Sequence, residues 1–106
     1  MKNRIYAYCR ISTSKQKIER QIANIKRAYP DADIFEEIYT GTKSNRPQWK
    51  KLLSVVNEGD AIVFDSVSRM SRNADEGFKT YMQLYNSGIN LVFLKEQTIN
   101  TDSYRT

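Results

Sequence analysis

The 106-residue sequence contains no histidine. That removes the commonest general base and the commonest metal ligand together. It holds one cysteine, Cys9, so an internal disulfide and the paired-ligand spacings of zinc sites are excluded. Cys9 lies in an apolar run and reads as a small buried hydrophobe. No apolar run approaches the ~20 residues of a membrane-spanning helix, and the start, MKNRIYAYCR, lacks the apolar stretch of a secretory signal. The expectation is a cytoplasmic protein with no membrane partner. The common phosphate motifs are missing as well. There is no G-x-x-x-x-G-K-[ST] and no G-x-G-x-x-G after the first strand, and the residue six beyond Cys9 is Lys15 where a cysteine phosphatase needs arginine. Asp31 and Asp33 have the spacing of a metal-binding pair, but they precede a strand and read as a turn. No metal and no cofactor are expected. Catalysis, if any, must run on serine, arginine, lysine, carboxylates or the lone cysteine.

What is present is an ordinary globular composition, 40% hydrophobic and 27% charged, with a net charge of +5. Residues 1–106 therefore read as one domain with one core, free of repeats and linkers. The basic excess is compatible with a polyanionic partner.

Apolar and amphipathic segments alternate. Ile5–Cys9 is a first strand; Ile18, Ile22, Ile25 and Tyr29 then fall on one helical face. Thr13 and Gln16 fit a capping box at that helix's start. Asp33–Tyr39 reads as a second strand, and the polar Glu36 and Glu37 suggest a sheet edge. A mobile loop over 40–46 leads to Pro47 at the first turn of a second helix, with Trp49, Leu52, Leu53 and Val56 on one face and Gly59 as its stop. Ala61–Phe64 is a short, wholly apolar strand, as a central parallel strand should be. Asp65–Arg72 is a polar, basic loop. A third helix starts at Asn73, buries Phe78, Tyr81, Met82 and Tyr85, and ends at Gly88; Ile89–Leu94 is a fourth strand and Lys95–Thr106 a loop or frayed tail. This βαβαβαβ order predicts an α/β fold: three layers, a doubly wound and mostly parallel four-stranded sheet of order 2-1-3-4, and helices on both faces.

That order sets strands one and three side by side at the switch point, where open α/β sheets bind ligands. Their C-terminal ends carry Arg10 and Ser12, and Arg69 and Arg72; Arg46 joins them if its loop folds over. Arginines clustered around hydroxyls describe a phosphate site, because guanidinium forks bind phosphate oxygens in pairs and stay charged. Ser12 follows Arg10 by two residues, so in extended backbone both side chains point the same way.

Tyr8-Cys9-Arg10-Ile11-Ser12-Thr13-Ser14-Lys15-Gln16 resembles the Y-x-R-[VI]-S-T-x-x-Q signature of the serine site-specific recombinases, the resolvase/invertase family. Gly41–Arg46 resembles that family's mobile loop, and Ser68-Arg69-Met70-Ser71-Arg72 its D-R-[LM]-[GS]-R motif. The three matches come in family order across nearly the whole chain. The resemblance implies a DNA recombinase in which Ser12 attacks a phosphodiester and leaves a 5′-phosphoseryl link. Arg10, Arg46, Arg69 and Arg72 would hold the scissile phosphate, with Gln16 and Gln21 in orienting roles. No metal or ATP would be needed. It further implies DNA as partner, a dimer and tetramer of the full-length protein, a bacterial or phage mobile element as source, and a catalytic domain cut from a longer chain. The competing reading is a non-catalytic phosphate- or nucleic-acid-binding module in which Ser12 merely caps the helix. One departure from the family pattern stands out: Ser68 occupies the usual aspartate position, and Asp65 is the acid that could compensate.

Overall fold

The computed structural model describes residues 3–11, 15–38, 46–71 and 74–103. Four strands, β1 (Ile5–Ile11), β2 (Asp33–Ile38), β3 (Ala61–Phe64) and β4 (Asn90–Phe93), form one sheet of order β2-β1-β3-β4. All three pairings are parallel, so the sheet is wholly and not just mostly parallel. Helix α1 (Lys15–Ala28) covers one face; α2 (Pro47–Val55), the short α3 (Val67–Met70) and α4 (Ala74–Asn86) lie on the other.

The period of two along β1 divides the core. Tyr6 and Tyr8 join Trp49, Leu52, Phe64, Leu91 and Phe93 on the α2/α4 side, while Ala7, Cys9 and Ile11 meet Ile18 and Ile25 of α1. Ile22 and Tyr29 pack at the margin of the α1 cluster, half-buried. Lys26 and Arg27 complement the negative end of the α1 dipole, and the Lys26 ammonium also donates to the carbonyls of Pro30 and Ala32.

Several expectations about boundaries are corrected. β1 runs on to Ile11, two residues past the apolar run, because β2 pairs with it as far as Ile11↔Ile38. Helix α2 ends at Val55, before Gly59: Val56 is extended, and the Asp60 carboxylate accepts from the amides of Arg4 and Asn57 to build the turn instead. Gly59 occupies that turn with φ of 92°. The 65–72 segment contains α3, which is too short to show a sequence period. Gly88 does terminate α4. With φ of 80° it places its own amide on Tyr85 O and that of Ile89 on Leu84 O, a Schellman end closed by the buried pair Leu84 and Ile89. Leu53 and Phe78, expected on buried faces, are 38% and 68% exposed. Phe78 instead rims a largely apolar groove of about 770 Å³ with Met70, Gly77, Tyr81, Met82 and Tyr85.

The segment expected to fray is docked. Residues 97–103 form two 3₁₀ turns, Gln97–Ile99 and Thr101–Ser103. Along the outer edge of β4, Thr101 Oγ1 accepts the Leu91 amide at 3.0 Å and Asn100 Oδ1 the Phe93 amide at 2.7 Å. Thr101 is fully buried. Thr101→Val keeps the shape but orphans a buried N–H, so a loss of about 1–3 kcal/mol is expected. Thermal unfolding checks this, with Thr101→Ser as the variant that keeps the acceptor; equal melting temperatures for Val and Ser would contradict it. Among the described residues no helix is long and apolar enough to cross a membrane.

Candidate active site

β1 has seven residues and β3 four, and β3 pairs only with Ile5–Ala7. Beyond that pairing, the backbone of Arg10 faces no strand on the β3 side among the described residues. Side chains replace the missing ladder. The Arg10 amide donates to Gln21 Oε1 and the Gln21 amide returns a bond to Arg10 O, both at 3.2 Å. Gln21, 2% exposed, thus clamps the end of the strand. Arg69 Nη1 donates to the same Arg10 carbonyl at 3.2 Å.

The guanidinium of Arg10, a residue only 8% exposed, donates from Nη2 to Ser68 O at 3.0 Å. That of Arg46 donates from Nη1 to Met70 O at 2.6 Å and stacks over the rings of Trp49 and Tyr8, 5.0 and 5.7 Å from their centroids. The structure therefore brings Arg10, Arg46 and Arg69 together around α3. Each of the three donates to a backbone carbonyl: Ser68 O, Met70 O and Arg10 O respectively. Arg69 Nε is buried and has no hydrogen-bond partner among the described residues. A buried donor left in that state costs free energy unless a ligand or water meets it.

Ser12, Thr13, Ser14 and Arg72 lie outside the described residues, as does the loop 39–45. Gln16 falls in the first turn of α1, but its side chain is also outside the described set. Ser68 Oγ pairs with Ser66 Oγ at 2.8 Å, and the contribution of residue 68 to Arg10 is its carbonyl. The Asp65 carboxylate accepts from Asn24 at 3.1 Å and pairs with Lys95 at 3.3 Å.

Burial pushes the Cys9 thiol up to about 12, with Glu36 and Asp65 adding to the shift and Arg69 opposing it. A thiol so seldom ionised is a poor nucleophile. Burial likewise raises the Tyr8 phenol above its ordinary range, the Arg46 charge opposing and Glu37 reinforcing. No three His, Cys, Asp or Glu side chains among the described residues could hold a metal ion together.

Sequence reasoning missed Glu37. It reads there as a polar residue on an edge strand, yet it is 3% exposed. Its Oε1 accepts from the Tyr8 hydroxyl at 3.0 Å and from the amides of Gln48 and Trp49 at 3.1 Å each. A signal was available: Pro47 announces a helix start whose preceding residue, Arg46, cannot cap it, so the cap must come from elsewhere in the chain.

Residues 5–106 match the family model described as "Resolvase, N terminal domain". The chain is 34% identical over 94 residues to the Tn501 transposon resolvase of Pseudomonas aeruginosa, covering 89% of this chain and 48% of that protein. A Clostridium perfringens resolvase is 27% identical over 100 residues, covering 93% of this chain and 53% of that protein. The chain thus spans about half the length of the curated relatives it matches. Among solved structures, a resolvase-family site-specific recombinase from Streptococcus pneumoniae superposes with a TM-score of 0.70 at 24% identity, over 95% of this chain and 77% of that one. A serine recombinase from Sulfolobus solfataricus gives 0.68 at 22% identity, over 88% and 69% of the two chains.

Proposed function

Since the chain belongs to the resolvase family of serine recombinases, we propose that its site cuts and rejoins DNA strands through Ser12. One observation carries the reading. Three arginines, each donating to a backbone carbonyl, converge where β1 ends, and Ser12 is the first residue after that strand. Ser12 Oγ gives up its proton and bonds to the phosphorus of a phosphodiester, the bond from phosphorus to the 3′ oxygen breaks, and that oxygen takes up a proton and leaves as a hydroxyl, with no net proton consumed. The 5′ phosphate stays on the serine. The phosphoserine link keeps the energy of the broken bond, so a 3′-hydroxyl can reverse the step without ATP. Arg10, Arg46, Arg69 and Arg72 bind the phosphate and offset the charge of its five-coordinate transition state, the task that bound cations perform in two-metal nucleases. Gln21 fixes the backbone of Arg10, and Gln16 orients groups at the nucleophile.

DNA is the partner, and its source is a bacterial or phage mobile element acting in the cytoplasm. Exchange between two duplexes breaks four phosphodiesters. With one Ser12 per chain, the full-length protein works as a dimer that pairs into a tetramer. To this chain we assign strand cutting and not the choice of target sequence, since phosphate contacts position without specifying.

The test traps the covalent complex on a suicide DNA duplex with the full-length protein and maps the phosphorylated residue by mass spectrometry. The expected residue is Ser12, and Ser12→Ala yields no complex. A phosphate on Thr13 or Ser14, or a complex trapped with Ser12→Ala, overturns the assignment.

A further inference from the structure

Helix α2 begins in an unusual way. Its N-cap residue is Arg46, which makes no side-chain cap bond, and Pro47 at the first position has no N–H. Lys50 N already donates to Arg46 O at 3.0 Å. The N-terminal donors still to be met are the amides of Gln48 and Trp49. Both go to the Glu37 carboxylate, which reaches over from β2. The same oxygen accepts the Tyr8 hydroxyl. Tyr8 and Trp49 are the two rings over which the Arg46 guanidinium lies, and they meet edge to face at 4.9 Å.

We propose that Glu37 is the positioning residue for Arg46. Because Glu37 caps α2 from a neighbouring strand, the N-cap side chain is released from that duty and can extend to Met70 O. One buried carboxylate thereby fixes three things: where α2 starts, the rotation of the Tyr8 ring, and the platform on which Arg46 rests. Its negative charge suits the positive end of the helix dipole, and three donors meet one of its oxygens. Glu37 acts through Arg46 and does not itself touch the scissile phosphate. The assignment rests on the reading above that Arg46 binds that phosphate.

Two readouts test it. The first is guanidinium NMR on this chain. A short bond to Met70 O and two flanking rings slow the rotation of Arg46, so its Nη signals should be resolved at low temperature. They should collapse in Glu37→Ala and broaden in Glu37→Gln, which keeps the shape and one acceptor oxygen but loses the charge. Unchanged Arg46 signals in both variants would overturn the proposal, and Glu37→Gln carries the test alone should Glu37→Ala fail to fold. The second readout is a double-mutant cycle on DNA cleavage by the full-length protein. Misplacing a group that contacts the reacting phosphate costs on the order of a hundredfold in rate, and this is the loss expected for Glu37→Ala, with DNA affinity little changed. In an Arg46→Ala background the Glu37 substitution should cost under about twofold, since coupled residues are not additive. Independent, multiplicative losses would overturn the positioning role. If the parent protein cleaves no DNA, the proposed function fails while the NMR arm still decides the structural claim.

Discussion

Arg10→Lys lowers the rate of DNA strand cleavage by roughly 10²–10³, the cost of removing one preorganised donor to a transition-state oxyanion, and leaves the fold nearly as stable. Arg10 is buried, and its Nη2 is spent on Ser68 O. A guanidinium sets five donors in one rigid plane; an ammonium is a point charge on a flexible stem and cannot reproduce that fixed geometry. Charge is conserved in the variant, so affinity for DNA should fall little. Filter binding and single-turnover cleavage separate the two effects. A cleavage rate within threefold of the parent would show that Arg10 contributes only charge.

Phe64→Ala has the largest effect expected on stability. Phe64 ends β3, is fully buried, stacks on Phe93 with centroids 5.1 Å apart, and touches Trp49 and Tyr8 at 5.9 and 6.2 Å. Truncating such a ring costs about 3–5 kcal/mol, and each kcal/mol lowers the melting temperature by roughly 4–8 °C in a domain of this size. Phe64→Leu, which keeps most of the volume, should cost well under half as much. Denaturant unfolding with both variants checks the ratio. Equal losses would mean that retained apolar volume counts for little here and that the aromatic ring contacts hold the site.

The sheet order was legible because the alternation of short apolar runs with helical periods admits few parallel topologies, and Ala61–Phe64 is a strand with the bounds its composition implies. The nearness of Arg10 and Arg69 was legible for the same reason: topology brings the ends of β1 and β3 together whatever the side chains do. Less legible were features decided by single polar contacts over long sequence separation. Nothing in DIFEEIY distinguishes Glu36, which is exposed, from Glu37, which is buried, until α2 is set against β2. The exposure of Phe78 was hidden because α4 carries apolar residues over more of its circumference than the sheet covers. The tail around Asn100 and Thr101 has no period because its binding to β4 is made by side-chain oxygens, which follow neither helical nor strand spacing.

That last arrangement bears on how the protein behaves in crowded solution. An outer strand with vacant amides is a template on which another chain can add itself. On β4 the amides of Leu91 and Phe93 are already occupied, by a hydroxyl and a carboxamide that present no ladder of their own. Protection that other sheets obtain from a whole extra strand or a row of lysines depends here on two small side chains in a segment of irregular turns. On this edge the resistance to strand addition therefore rests on two positions, and a substitution at either frees an amide to which another chain can bond.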